Sequence, residues 1–382
     1  MVAVRQSPPA EERYADELAF LAAIDDAPRP PGWRLSPGSV VTFVCGSGGD
    51  KLVAPDGVDL PEGVPARLEI REKFVGERAL VERAVVTLAG ERGLLLVGEP
   101  GTAKSMLSEL LAAAVSGSSA LTVQGTAGTH EDHLRYAWNY ALLLARGPSP
   151  DALVPSPVLT GMRAGSLVRI EEVTRCLPEV QDALISLLSE RRLAVPELDG
   201  DEGTVFASPG FNVIATANLR DKGVSEMSAA LKRRFNFEMV PPIADHDREL
   251  ELVRSQASAN LEASEIELSL DEAVLDALVT AFRDLREGRT AEGWAVERPS
   301  TVMSTAEAVA VASAIGRQAV YFPSQRDPAS LIPGHLLGVV LKDEAEDRGR
   351  LLAYWDGAVK RRANDGGRLW QRLHELRPAL EE

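Results

Sequence analysis

The sequence predicts an α/β fold built on a parallel sheet, followed by an all-helical region. Three observations predict it. From Phe74 onward, short and nearly continuous apolar runs alternate with helical patterns, as expected of parallel strands buried on both faces. One of these runs leads through a glycine-bearing loop directly into a helix. After Pro242 the strand signals stop and only helical patterns continue.

The apolar runs are Gly93–Val97, Ala120–Val123, Leu167–Ile170, Asn212–Thr216 and Asn236–Val240. In the segment from Pro178 to Glu190, Val180, Ala183, Leu184, Leu187 and Leu188 recur at helical spacing and share one face. Pro178 suits the first turn of that helix. The chain before this unit, residues 1–70, reads as an extension. It carries a helix over Glu11–Ile24, a break at PRPPGW, a strand at Val40–Val44, and a return strand at Lys51–Val53 after the turn GSGGD, which together suggest a small β element. Residues 71–243 form the α/β unit. Residues 244–320 read as three helices, around His246, Leu270–Leu285 and Ser304–Ile315. Residues 321–382 begin as a loop rich in Pro and Ser and end in amphipathic helices around Leu351–Val359 and Trp370–Leu376.

A chain of 382 residues holds two or three domains of about 150 residues each. Its 45% hydrophobic and 26% charged residues are ordinary globular values. Lys and Arg total 41 against 57 Asp and Glu, a net charge of −16. That balance argues against a dedicated nucleic-acid binder and against docking on an anionic membrane. No apolar stretch reaches the roughly 18 residues of a membrane helix, so no membrane insertion is expected. The start MVAVRQSPPAEERYADE lacks the apolar segment of a secretory signal. The two cysteines, Cys45 and Cys176, lie far apart, which fits a reducing cytoplasm.

The chemistry concentrates in three places. The run LLLVG continues as Gly98-Glu99-Pro100-Gly101-Thr102-Ala103-Lys104-Ser105-Met106 and enters a helix. Small residues let successive backbone N–H groups converge on phosphate oxygens, and the helix N-terminus adds partial positive charge. Lys104 is placed to reach the β- and γ-phosphates, and the Ser105 hydroxyl to ligate Mg²⁺. Ala103 stands where the pattern asks for Gly; the loop tolerates it if that residue starts the helix in a right-handed conformation. Next, the strand Leu167–Ile170 ends in Glu171 and Glu172. An acid there holds the metal and the following one polarises the attacking water, which assigns Glu171 to the metal and Glu172 to the water. Finally, Asn218 ends an apolar strand, where an amide can orient water or contact a γ-phosphate. Arg233 and Arg234 close a short segment, either as a finger reaching a neighbouring subunit's site or as cations at a helix C-terminus.

These motifs together resemble the AAA+ ATPases, specifically their MoxR-like branch, over about residues 72–320. GEPGTAKS is similar to that branch's phosphate loop. EEVTRCLPEVQDALISLLSERRLAV resembles its acidic motif, with Thr174 in place of Asn. ATAN resembles sensor 1 with Asn218, and MSAALKRRFNFE resembles the arginine-finger element. FVGERALVERAV resembles the opening helix, which places Phe74, Val75 and Gly76 at the adenine. The resemblance implies a sheet in order 5-1-4-3-2, a helical lid, a hexameric ring, and a pore-facing hairpin at Arg192–Phe206. It also implies ATP and Mg²⁺ as cofactors, partner proteins with von Willebrand A domains, and chaperone-like remodelling of protein clients in the cytoplasm. Sensor 2 departs from the pattern: the lid-helix start over Ser300–Ala308 holds no arginine, leaving Arg298 just upstream as the candidate.

Three functions compete: an ATP-driven remodelling motor, an ATP-gated assembly scaffold that hydrolyses very slowly, and a nucleic-acid-coupled motor. Glu171 and the altered sensor 2 favour the scaffold, while the acidic balance disfavours the last. Thr129 to His133 contains two histidines at i, i+3 rather than the i, i+4 of a zinc helix; Thr129 and Asp132 are expected to form a capping box. Cys176, Trp355 and Trp370 are expected in the core.

Overall fold

The computed structural model describes residues 8–218, 225–266, 270–322, 327–342 and 344–381. The chain divides into two compact units. One holds the chain up to Val240 apart from Glu99–Thr102; the other holds Pro241 onward together with those four residues.

The first unit is built on five strands: β1 (Gly93–Gly98), β2 (Thr122–Gln124), β3 (Leu167–Glu171), β4 (Asn212–Asn218) and β5 (Phe235–Met239). They pair in parallel in the order β5-β1-β4-β3-β2, the order implied by the resemblance. Leu94 and Leu96 enter one apolar cluster while Leu95 and Val97 enter another. This period of two, with a core on each face, is why β1 reads as an unbroken apolar run. The helix Pro178–Glu190 closes one face through Val180, Leu184, Leu187 and Leu188.

The other face is closed in part by the chain's beginning. Helix Ala15–Ile24 lies where a helix is expected, after a short turn Ala10–Arg13. Val40–Val44 is not the expected strand but lies within the helix Pro37–Cys45. Its signals are local: the Ser36 hydroxyl accepts the Ser39 N–H at 3.3 Å, and Pro37 presets the first turn. With Val40, Val41, Phe43 and Val44 all buried, tertiary packing overrides the strand preference of β-branched residues. Ser36→Ala is expected to lower stability by about 1 kcal/mol, readable as a shifted denaturant midpoint. The strand Lys51–Val53 forms, but its partner is Arg67–Glu69.

This segment is tied down tightly. Phe20, Leu21, Trp33 and Leu35 share a cluster with Leu107, Leu110 and Leu111 of the helix Lys104–Ser116. The Ala10 N–H donates to Glu109 Oε1 at 2.8 Å, and the Glu11 carboxylate accepts from the Ser119 N–H and hydroxyl at 3.0 and 2.8 Å.

Two antiparallel hairpins project from the α/β unit. One pairs Tyr136–Trp138 with Leu153–Pro155 and carries the helix Tyr140–Arg146. The other pairs Arg192–Ala194 with Thr204–Phe206, at the expected insert, and leaves Phe206 exposed. The capping box expected at Thr129 and Asp132 is replaced by a short turn, Glu131–His133, in which His130 and His133 cap reciprocally. Thr129 is instead buried, its hydroxyl donating to the Gln124 carbonyl at 3.0 Å. Cys176 is buried in the core, as expected.

The second unit is helical. His246–Glu262, Glu272–Glu287 and Thr305–Tyr321 match the three expected helices. The expected Pro- and Ser-rich loop falls partly on 323–326, outside the described residues. The rest of it forms a helix, Pro328–Val340, with Asp327 as cap and Pro328 in its first turn. Asp347–Tyr354, Trp355–Val359, Lys360–Asn364 and Arg368–Glu375 follow, and a single apolar cluster runs from Val253 to Leu380. Trp355 is buried in it, its ring N–H donating to the Leu373 carbonyl at 2.7 Å. Trp370 packs against its edge beneath the Arg362 guanidinium. Glu249 is fully buried, its charge neutralised by Arg283 at 2.8 Å and Arg286 at 2.7 Å, and it also accepts the Thr305 hydroxyl at 2.6 Å. Among the described residues, no helix is long and apolar enough to cross a membrane.

Candidate active site

Parallel strands deliver their C-terminal ends to one edge of the sheet, and loops there carry ligands. Here Gly98 ends β1, Glu171 ends β3 and Asn218 ends β4. Asn218 is registered opposite Gly98 and half-buried, so the amide sits beside the start of the phosphate loop.

The loop itself turns through positive φ twice, at Gly101 (76°) and Ala103 (63°). The right-handed conformation expected for Ala103 is therefore not adopted. Lys104, not Ala103, begins the helix, and the residue before it must enter left-handed. That is the backbone reason a glycine suits this position, and an alanine there stores about 1–2 kcal/mol of strain. Ala103→Gly is expected to raise stability by about 1 kcal/mol, seen as a melting temperature higher by a few degrees.

Lys104 is buried, and its Nζ donates to the Gly98 carbonyl at 3.2 Å, folding the side chain back over the loop. The Thr102 hydroxyl donates to the Glu99 carbonyl at 3.0 Å. Met106 packs against the core cluster that contains Phe74. Gly76 lies against the Phe74 ring, which occupies the space a Cβ would need; Val75 and Gly76 are half-buried.

Ser105 is exposed, and its hydroxyl donates to Glu171 Oε2 at 2.7 Å. The Glu171 carboxylate is buried and receives three further donors: Thr216 Oγ1 at 2.8 Å, Ser108 Oγ at 2.6 Å and Arg169 Nη2 at 2.9 Å. Burial alone pushes this carboxyl up, but the hydrogen bonds from Ser108 and Ser105, the Arg169 guanidinium and the Thr216 hydroxyl together hold it below its ordinary value. It is an ionised, hard oxygen centre.

Glu172 adopts φ 55°, a left-handed conformation uncommon for a side-chain-bearing residue and concentrated at functional sites. Its N–H donates to Thr216 Oγ1 at 2.9 Å, so one buried hydroxyl joins the backbone of Glu172 to the carboxylate of Glu171. The Glu172 carboxylate pairs with Arg175 Nε at 3.0 Å. Thr216, Ser108 and Arg169 are absent from the sequence-based site. Their signals are faint: Ser108 lies one turn after Ser105, Arg169 two residues before Glu171, and Thr216 two before Asn218.

Two expected residues are not brought to this edge. Arg233 and Arg234 precede β5, and the Arg234 carbonyl accepts from the N–H of Gly93 at 2.9 Å. They therefore lie at the N-terminal end of β1, roughly 17 Å along the strand from its loop end. The Arg234 guanidinium is engaged by Ser189 Oγ at 2.8 Å and the Ala230 carbonyl at 3.0 Å. Arg233 is exposed. Arg298 is also exposed, its aliphatic part lying against Gly288, ahead of the helix that starts after Ser304.

A five-stranded parallel sheet in 5-1-4-3-2 order, a phosphate loop on its first strand and paired acids on its third define an AAA+ ATPase core. The AAA domain of the dynein-related subfamily matches residues 93–235, and the YehL-like AAA+ ATPase C-terminal domain matches residues 247–381. The chain is 47% identical over 379 residues to the uncharacterized protein YehL of Escherichia coli (strain K12), covering 98% of each chain. It belongs to the YehL family of AAA+ ATPases. It is also 28% identical over 203 residues to the uncharacterized protein SH1500 of Staphylococcus haemolyticus, covering 51% of this chain and 68% of that one. Among solved structures it is similar to the RuvB Holliday junction branch migration motor of Thermotoga maritima, at 14% identity and a TM-score of 0.44, covering 75% of this chain and 78% of that one.

Proposed function

We propose that the protein is a MoxR-like ATPase whose site is completed by a second copy of itself in a hexameric ring. The observation that carries this reading is the placement of Arg233 and Arg234 at the opposite end of β1 from Lys104. Arginines there have no path to their own phosphate loop, but suit the loop of a neighbouring copy. Arg233, exposed, is the better finger; Arg234 is spoken for by Ser189 and Ala230.

Within one site, the loop N–H groups and Lys104 hold the β- and γ-phosphates. The Ser105 hydroxyl, backed by Glu171, fits a hard divalent cation such as Mg²⁺, which supplies charge neutralisation on the phosphates when bound. Glu172 accepts the proton of the attacking water, and Asn218 orients that water beside the γ-phosphate. Val75 and Gly76 line the adenine. Residues 1–70 brace the α/β unit, and the helical unit from residue 244 acts as the lid. Turnover then drives the exposed hairpin Arg192–Phe206 against protein clients in a chaperone-like cycle, with a von Willebrand A domain protein as docking partner, in the cytoplasm.

The test is turnover per subunit against protein concentration, followed by subunit mixing. Turnover should rise cooperatively as the ring forms. Mixing Arg233→Ala with Lys104→Ala subunits should recover activity that neither shows alone, because some sites then combine an intact loop with an intact finger. No recovery at any ratio would rule out the shared site. A second reading, an ATP-gated scaffold with slow hydrolysis, is favoured by the Glu172–Arg175 ion pair and by the position of Arg298 against Gly288. Concentration-independent turnover, with nucleotide-dependent assembly, would select it.

A further inference from the structure

Glu171 is one methylene longer than the Asp usual on the metal side of such a site, and its carboxylate is already full. A carboxylate offers about four acceptor positions, and Ser105, Thr216, Ser108 and Arg169 supply four donors. The two oxygens serve different ends. Oε2 faces the site through Ser105, whereas Oε1 is gripped from behind by Ser108 and Arg169.

The grip follows from local geometry. Ser105 and Ser108 stand three apart on one helix, so both hydroxyls point to the same side. Arg169 and Glu171 stand two apart on β3, so both side chains leave the same face. The Arg169 guanidinium is itself fixed by Ser108 Oγ at 2.9 Å, the Ser105 carbonyl at 3.1 Å, and, on the β2 side, the Ser119 carbonyl at 3.3 Å and Thr122 Oγ1 at 3.4 Å. One cation thus ties the phosphate-loop helix to two strands while it holds the acid.

We propose that Ser108 and Arg169 are positioning residues for the metal-binding hydroxyl. They clamp Glu171 so that it accepts the Ser105 O–H, which turns the Ser105 lone pairs outward toward the divalent cation of a bound nucleotide. Glu171 acts through Ser105 rather than as a direct ligand, and the longer side chain is accommodated by the clamp. The inference rests on the nucleotide-binding reading above.

The experiment is calorimetric titration of the full chain with ATP, once with Mg²⁺ and once with EDTA. For Ser108→Ala and Arg169→Met, the affinity gained from Mg²⁺ should fall by about 10- to 100-fold, with affinity in EDTA unchanged. Arg169→Lys, which keeps one donor, should recover part of the gain. Ser108→Ala removes a single hydroxyl, so it remains informative if Arg169→Met does not fold. A wild-type Mg²⁺ gain retained by Ser108→Ala overturns this inference alone. Absence of ATP binding by the wild-type chain in either buffer overturns the nucleotide reading and this inference with it.

Discussion

Lys104→Ala is expected to leave a folded chain that no longer binds ATP. The Lys104 ammonium is buried at the head of a 13-residue helix, held over the loop by the Gly98 carbonyl. Its removal takes away the counter-charge for the β- and γ-phosphates. Alanine is the better helix former. The variant should therefore still unfold cooperatively without nucleotide, which a thermal melt checks. With ATP at about 100 times its dissociation constant, the wild type should gain about 2.7 kcal/mol of stability by linkage, and Lys104→Ala should gain none. A wild-type thermal shift in the variant would remove Lys104 from the phosphate site.

Glu172→Gln is expected to separate binding from hydrolysis. The residue's left-handed backbone is pinned by the Thr216 hydroxyl, and glutamine fills the same space without the basic oxygen. Turnover should fall by about 10²- to 10⁴-fold while ATP affinity stays within a few-fold of wild type. Glutamine also discharges the pair with Arg175. If that pair held the acid away from water, the loss would be smaller than for a freely poised base. Near-wild-type turnover in Glu172→Gln would assign water activation to another group.

The sheet was legible because its strands are buried on both faces and read as plain apolar runs; Leu94 to Val97 is the clearest case. The phosphate loop, the two acids and Asn218 were legible because each sits at a strand end, where a change from apolar to polar residues is abrupt. Val40–Val44 misled because an apolar β-branched run carries no period, and only the Ser36–Pro37 cap distinguishes helix from strand. Ala103 is illegible in this respect because alanine ordinarily takes the right-handed conformation, and only the folded loop shows that the residue before Lys104 turns left-handed. Thr216 is not legible because its role depends on strand pairing across β3 and β4, which joins residues about 45 positions apart, and Arg169 is not legible because its partners Ser108 and Thr122 lie on a helix and a strand far from it in sequence. The helix Pro328–Val340 reads as a loop in the sequence because its prolines look like breakers, although Pro328 occupies the one turn that welcomes it.

The opening seventy residues share their oily interior with the very helix that leads out of the phosphate loop. Trimming the gene to begin at residue 71 would therefore strip the lining from Leu107, Leu110 and Leu111 rather than shed an appendage. Such a fragment would present sticky flanks to its neighbours, and one that keeps the lining must retain Ala10, whose N–H is anchored on Glu109 of that helix.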